Sequence, residues 1–251
     1  MPVRYRHAGL LAAALLPAVQ AMAADATPVQ EARRARNAAA SQRNPQSRPT
    51  LAIQVGVAHD QDEAGAKAWT TPFDLNWTAA ATTWGAELSG DGYSRQRDAE
   101  GTRAGGLADL VAAAWWIPVQ GVTTSIEFTL PTHGEVGSSA SAQTLRLQYD
   151  TPISNAGWSA TLQGAVSRDN APAEGASRYG QTLMGLLGKA LGGDVTASFS
   201  VTRSWQGGAP GTTDLGGALE FPLARKTATL SLTRGISAGA RHTTLQFDLK
   251  F

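Results

Sequence analysis

From Thr50 onward, apolar and polar residues alternate in short runs that follow one another along the chain. Leu51, Ile53, Val55 and Val57 share one parity, and Val122, Ile126, Phe128 and Leu130 stand opposite Thr123, Ser125, Glu127 and Thr129. Successive side chains of a strand point to opposite faces, so each run predicts a strand with one apolar and one polar face. The pattern recurs over Phe73–Trp77, Trp84–Gly90, Leu145–Tyr149, Trp158–Val166, Val195–Val201, Leu215–Phe221 and Ala228–Leu232. The last run sets Leu245, Phe247, Leu249 and Phe251 on one face and Gln246, Asp248 and Lys250 on the other, and the sequence stops on the aromatic.

A soluble sheet rarely finishes on an apolar edge strand, whereas a membrane barrel pairs its last strand with its first and turns the apolar face to lipid. The tail resembles the C-terminal aromatic insertion signal of Gram-negative outer-membrane barrels, with Leu245, Phe247, Leu249 and Phe251 as its residues. Connection lengths point the same way. Longer polar stretches fall at His59–Lys67, Gly92–Gly105, Pro131–Ser141, Arg168–Ser177, Gln206–Gly211 and Gly235–Arg241. Tight connections lie between them at Thr78–Ala81, Pro118–Gly121, Pro152–Gly157, Ala190–Asp194 and Pro222–Lys226. Barrels of this kind have long external loops and short periplasmic turns. The expectation is an all-β, transmembrane, antiparallel up-and-down barrel over 50–251 with about twelve strands, ten to fourteen being the range. Its weak stretch is Ser177–Ala190, where Leu183, Met184, Leu186 and Leu187 crowd both faces and a short helix would lower the count.

The N-terminal region changes the address, not the fold. Arg4, Arg6 and His7 precede the apolar stretch Ala8–Val19, and Ala21-Met22-Ala23 offers a small-x-small cleavage site. This predicts a signal peptide over 1–23 and export to the bacterial outer membrane, since the run is too short to span as a helix. No Cys is present, which excludes a lipoprotein anchor and disulfides. Residues 24–49 read as a periplasmic extension, a disordered tether or a short helix over Val29–Gln42. An Arg-bearing plug entering the barrel is the functional alternative. That segment carries five Arg against Asp25 and Glu31, whereas 50–251 holds 14 basic and 18 acidic residues. The folded part thus lacks the clustered basic surface a nucleic-acid partner needs. Seven Trp suit a membrane interface.

One stretch goes further. Gly106-Leu107-Ala108-Asp109 begins one strand, and Phe128-Thr129-Leu130-Pro131-Thr132-His133-Gly134 ends the next. It resembles the transporter-like barrels grouped as the "meta-pathway of phenol degradation" family, which pair a Gly-x-Gly-Asp strand start with an apolar-Pro-Thr-Gly loop start. Here Ala108 replaces the second Gly and His133 intervenes before Gly134. The resemblance spans Gly106 to Asp150 and implies a channel for hydrophobic or aromatic compounds.

Reactive constellations are few. His59, His133 and His242 fall near the external rim with Asp60, Asp62 and Glu63, but the carboxylates lack the spacing and sharp Gly turn of a calcium loop. They read as a solvated acidic loop, with neither metal nor cofactor expected. A barrel-embedded hydrolase needs a Ser nucleophile beside a His base; His242 before Thr243-Thr244 is the nearest approach, and no enzyme is expected. If the apolar face meets lipid, Asp74, Glu87, Asp91, Glu127, Arg146, Asp150, Asp214, Glu220, Asp248 and Lys250 turn inward and line a pore. Gly56, Gly85, Gly216 and Ala218 would leave room beside them. The expected function is passive passage of small solutes; the alternative is a closed structural or adhesive barrel. Expected partners are the outer-membrane lipids, the barrel-assembly machinery and an unidentified small solute.

Overall fold

A computed structural model describes residues 48–80, 83–99, 101–132, 136, 141–154, 156–170, 177–207, 211–237 and 241–251. The signal peptide, the extension up to residue 47 and His133 lie outside the described residues. Among the described residues, one antiparallel sheet contains every regular element: β1 (Thr50–Asp62), β2 (Lys67–Thr70), β3 (Phe73–Thr78), β4 (Trp84–Gly90), β5 (Tyr93–Arg97), β6 (Arg103–Leu107), β7 (Leu110–Val119), β8 (Val122–Leu130), β9 (Ala142–Ser154), β10 (Trp158–Asp169), β11 (Tyr179–Gly192), β12 (Val195–Gln206), β13 (Thr212–Leu223), β14 (Lys226–Gly235) and β15 (His242–Lys250). Neighbours in sequence pair down the sheet, and β15 returns to pair with β1 from Gln54↔Lys250 to Asp62↔His242. Phe251 extends that seam, its N–H donating to the Ile53 carbonyl at 2.7 Å.

The wall has twelve strands, because β2–β3, β4–β5 and β6–β7 are each one strand interrupted once. The first interruption is Pro72. β2 and β3 keep a single register on β1, from Ala58↔Thr70 to Val55↔Phe73, and the ladder loses only the N–H that proline lacks. The Pro72 carbonyl still accepts from Gly56 N at 2.8 Å. The second is a bulge at Asp91-Gly92. Between Thr70↔Ser94 and Phe73↔Gly90 one extra residue enters, Gly92 takes a φ of 59°, and the Thr71 N–H is shared by the Asp91 and Tyr93 carbonyls, both at 3.1 Å. A bulge of this kind reverses which parity faces inward. Ser89 is buried on one side of it and Ser94 on the other, so Tyr93, Arg95 and Arg97 point outward. The third, Ala108-Asp109, follows the second in step, with Ala108 N donating to the Gly92 carbonyl at 2.8 Å. Asp109 then accepts from Thr132 N at 3.0 Å, and the Thr132 hydroxyl donates to the Leu107 carbonyl at 2.8 Å. The Ala108-Asp109 and Pro131-Thr132 pairs read from the sequence are therefore two sides of one joint.

Two expectations change. The stretches His59–Lys67 and Gly92–Gly105 are mostly strand: β1 runs to Asp62, and β5 and β6 form a hairpin standing on the barrel. Ladder hydrogen bonds persist above the apolar belt, where neither face needs apolar residues, so the alternation fades while the strand continues. Ser177–Ala190 holds no helix; it lies almost wholly in β11, which settles the count at twelve. At the opposite end the turns are tight. Gly193 and Asp194 both take positive φ (61° and 62°) between Gly192↔Val195, as a two-residue hairpin turn requires. Ala224, at φ 57°, does the same at a strained position.

The outward face is apolar. Ile53, Val55, Val57, Ile126, Phe128, Leu162, Leu183, Phe199, Leu230, Leu232 and Leu245 are exposed there. Aromatics bracket this belt: Trp84, Trp116, Trp158 and Phe251 at the end with the short turns, and Trp69, Tyr93, Tyr179 and Trp205 at the other. An apolar band between aromatic girdles is the surface of a barrel that spans a membrane.

Candidate functional site

The inward face reverses the chemistry. Along β8, Thr123, Ser125 and Glu127 are buried while Ile126 and Phe128 are exposed, and β9 buries Thr144, Arg146 and Gln148 in the same way. Of the charged residues expected inside, Asp74, Glu87, Glu127, Arg146, Asp214 and Asp248 are buried, and Asp91, Asp150, Glu220 and Lys250 are half-buried. These hold eight carboxylates against two cations.

The structure brings some of them together. Arg146 grips Glu127 with two hydrogen bonds, Nε to Oε1 at 2.7 Å and an Nη to Oε2 at 3.2 Å, both side chains almost fully buried. Their strands are neighbours, with Arg146 opposite Ser125, so the pair is diagonal and bidentate, the strong geometry for an Arg–carboxylate contact. Lys250, Gln54, Asp74 and Ser89 form one cross-strand row over β15, β1, β3 and β4. Asp248 lies in the next row toward the far rim, its carboxylate folded across Gly56, where a Cβ would collide with it. Asp214 and Glu220 are not gathered in. They sit six residues apart on β13, about 20 Å, so they face different levels of the barrel.

Neutral donors satisfy several of these carboxylates. Ser89 donates to Glu87 at 3.0 Å, Gln148 and Thr161 to the two oxygens of Asp150 at 2.7 and 2.5 Å, and Gln246 to both oxygens of Asp248 at 2.8 Å. Such donors replace lost water contacts without cancelling the charge of the carboxylates. His242 adds a contact to Asp214 at 3.6 Å. By formal charge the inward face is therefore acidic, with Asp74, Glu87 and Asp248 against Lys250 over β15, β1, β3 and β4.

The opposite sector, β10 to β12, is neutral. Gln163, Met184, Leu186, Ser200 and Thr202 are buried there, and neither amide atom of Gln163 finds a hydrogen-bond partner among the described residues. Met184, Leu186 and Trp115 break the rule that apolar side chains face lipid. In β11 the apolar Leu183, Met184, Leu186 and Leu187 occupy both parities, so hydropathy assigns no face. The cue lay in the company of Met184 and Leu186, since Gly180, Thr182 and Gly188 share their parity. Room beside the small residues is also used up: the Trp115 indole covers Gly85 and the Ser200 hydroxyl covers Gly216.

The rim acids have local work. Asp62 accepts from Ala66 N at 2.9 Å, Asp60 from the Thr244 hydroxyl at 2.8 Å, and Glu63 from Arg241 at 2.9 Å. His59 stacks on Trp69, with ring centroids 4.4 Å apart.

No family model and no curated sequence matches the chain, so the phenol-degradation resemblance gains nothing from sequence comparison. Solved structures do match. The COG4313 outer-membrane channel from Pseudomonas putida F1 superposes with a TM-score of 0.59 at 11% identity, over 83% of this chain and 97% of that one. The NanC porin gives 0.58 at 9% identity, over 79% and 98%. The KdgM porin, solved with disordered oligogalacturonate, gives 0.51 at 12% identity over the same shares. At such identities the likeness is one of fold: this chain is a twelve-stranded barrel of the outer-membrane type.

Proposed function

We propose that the protein is an outer-membrane channel for passive passage of small solutes, with a preference for cations and without enzymatic activity. The observation that carries the reading is the inversion of chemistry across one wall: an apolar belt outside, and inside a polar face with eight carboxylates against two cations. Charge placed on the lipid face would be costly, and rings of carboxylates within a barrel select for cations. The fold shared with proteins described as a channel and as porins supports it. The solute class implied by the phenol-degradation resemblance, hydrophobic or aromatic compounds, rests on that resemblance alone.

A closed structural barrel is the second reading, and one observation favours it: Asp74, Gln163 and Met184 are at most 2% exposed, less than a wide water-filled bore would leave them. Planar-bilayer recording of the purified full-length protein separates the two. Discrete conductance steps support the channel, and a silent barrel that is folded by heat-modifiability supports the closed structure.

A further inference from the structure

The outward face changes again above the upper aromatics, on the wall formed by β1, β2, β5 and β6. Three cross-strand rows climb it. Tyr93 pairs with Leu107 in the lowest; His59, Trp69, Arg95 and Gly105 form the next; Gln61, Lys67, Arg97 and Arg103 form the third. Lys67, Arg95, Arg97 and Arg103 are all exposed. Strands stand about 4.8 Å apart, so three cations are held side by side on a hydrogen-bonded ladder. Like charges directly opposite one another destabilise a sheet modestly, and a bound anion would relieve the repulsion.

No described residue does so. None of the four cations forms an ion pair with a described residue. The described carboxylates nearby are engaged elsewhere, Glu63 with Arg241 and Asp62 with Ala66 N, while Asp98 accepts from Thr102 N at 2.7 Å. The parity reversal at Asp91-Gly92 is what aims Arg95 and Arg97 away from the interior. Just below, Trp69 and Tyr93, each 54% exposed, mark the level where acyl chains give way to headgroups. The array thus lies at headgroup height on the side opposite both the short turns and Phe251. Two guanidinium forks and an ammonium at this spacing suit phosphate oxygens.

We propose that Lys67, Arg97 and Arg103, with Arg95 below them, bind the phosphates of an outer-leaflet glycolipid, its acyl chains lying against Trp69, Tyr93 and Leu107. The assignment rests on the outer-membrane reading proposed above, with the longer loops outside, but not on conduction. The test uses full-length protein in phosphatidylethanolamine vesicles containing lipid A with both phosphates or lipid A stripped of them. Native mass spectrometry counts retained lipid, and heat-modifiability gives the unfolding temperature. The wild type should retain the phosphorylated form and unfold at a higher temperature with it. A Lys67→Gln, Arg97→Gln, Arg103→Gln variant should retain it roughly a hundredfold more weakly. Arg225→Gln, at the opposite rim, should behave as wild type. Equal retention of the two lipid forms by the wild type, or undiminished retention by the triple variant, overturns the proposal. The lipid comparison needs no variant, and a conducting barrel indifferent to phosphate would sink this inference while sparing the channel.

Discussion

The two sides of the wall are built differently. From β9 to β13 every strand is 12 to 14 residues long and unbroken, and one parity faces inward up to the register shifts at the short-turn ends of β9 and β11. From β2 to β7 each strand is interrupted, at Pro72, Asp91-Gly92 and Ala108-Asp109, and the last two interruptions exchange the faces. The regular side holds its shape by repetition, and in its middle strands, β10 to β12, the neutral inner surface of Gln163, Met184 and Thr202 asks for no special backbone. The interrupted side carries Asp74 and Glu87 below the break and the outward cations above it. A bulge lets one strand serve two environments, and the residues that build it become structural: Gly92 for its φ, Thr71 for the shared N–H, and Asp109 with Thr132 for the joint.

The largest effect is expected inside, where β8 meets β9. Arg146→Met would strip the buried Glu127 carboxylate of its bidentate cation, which costs about 3–5 kcal/mol. The heat-modifiable form should unfold at a clearly lower temperature, and adding Glu127→Gln should restore most of the loss. If the single variant were as stable as wild type, the interior pair would not be desolvated as described. Next comes the interrupted side. Gly92→Ala forces a Cβ onto the Thr71 carbonyl at a positive φ, at a cost of about 1–3 kcal/mol. Amide exchange should rise at Tyr93 and Ala108 and stay unchanged along β12; a uniform rise would erase the distinction between the two sides. The smallest effect is a gain. Ala224→Gly relieves the left-handed residue in the β13–β14 turn and should stabilise by up to about 1 kcal/mol, read as a small upward shift in the unfolding temperature.

The regular side was legible in the sequence because its strands obey the period of two over their full length. Leu145–Tyr149, Trp158–Val166 and Leu215–Phe221 predict their strands and faces, and the alternation of connections fixes the pairing. Where legibility failed, the cause was local. Above Tyr93 the strands leave the apolar belt, so hydropathy carries no sustained alternation and β5 and β6 read as loop; Ser94, placed in that loop, is 1% exposed. In β11 apolar residues occupy both faces, and only the glycine and threonine sharing Met184's parity hint at an inward direction. The inward charges were legible because a carboxylate has no inexpensive place on the lipid face. Their partners were not: which carboxylate Arg146 takes follows from the diagonal between β8 and β9, and no sequence spacing states it. Gln163 escaped notice because a search for charges passes over amides.

The negative field of the interior is the centre of the account, and the zero-current potential across a planar bilayer under a potassium chloride gradient measures it most directly. Glu127 is committed to Arg146, so Glu87 and Glu220 are the carboxylates to neutralise, one beside the acidic row and one near the short-turn rim. Wild type should give a potential of the sign that denotes cation preference. Glu87→Gln with Glu220→Gln should move it toward zero, most at low salt where screening is weakest. A wild-type potential of anion-selective sign, or one that the double variant leaves unmoved at every salt concentration, would contradict it.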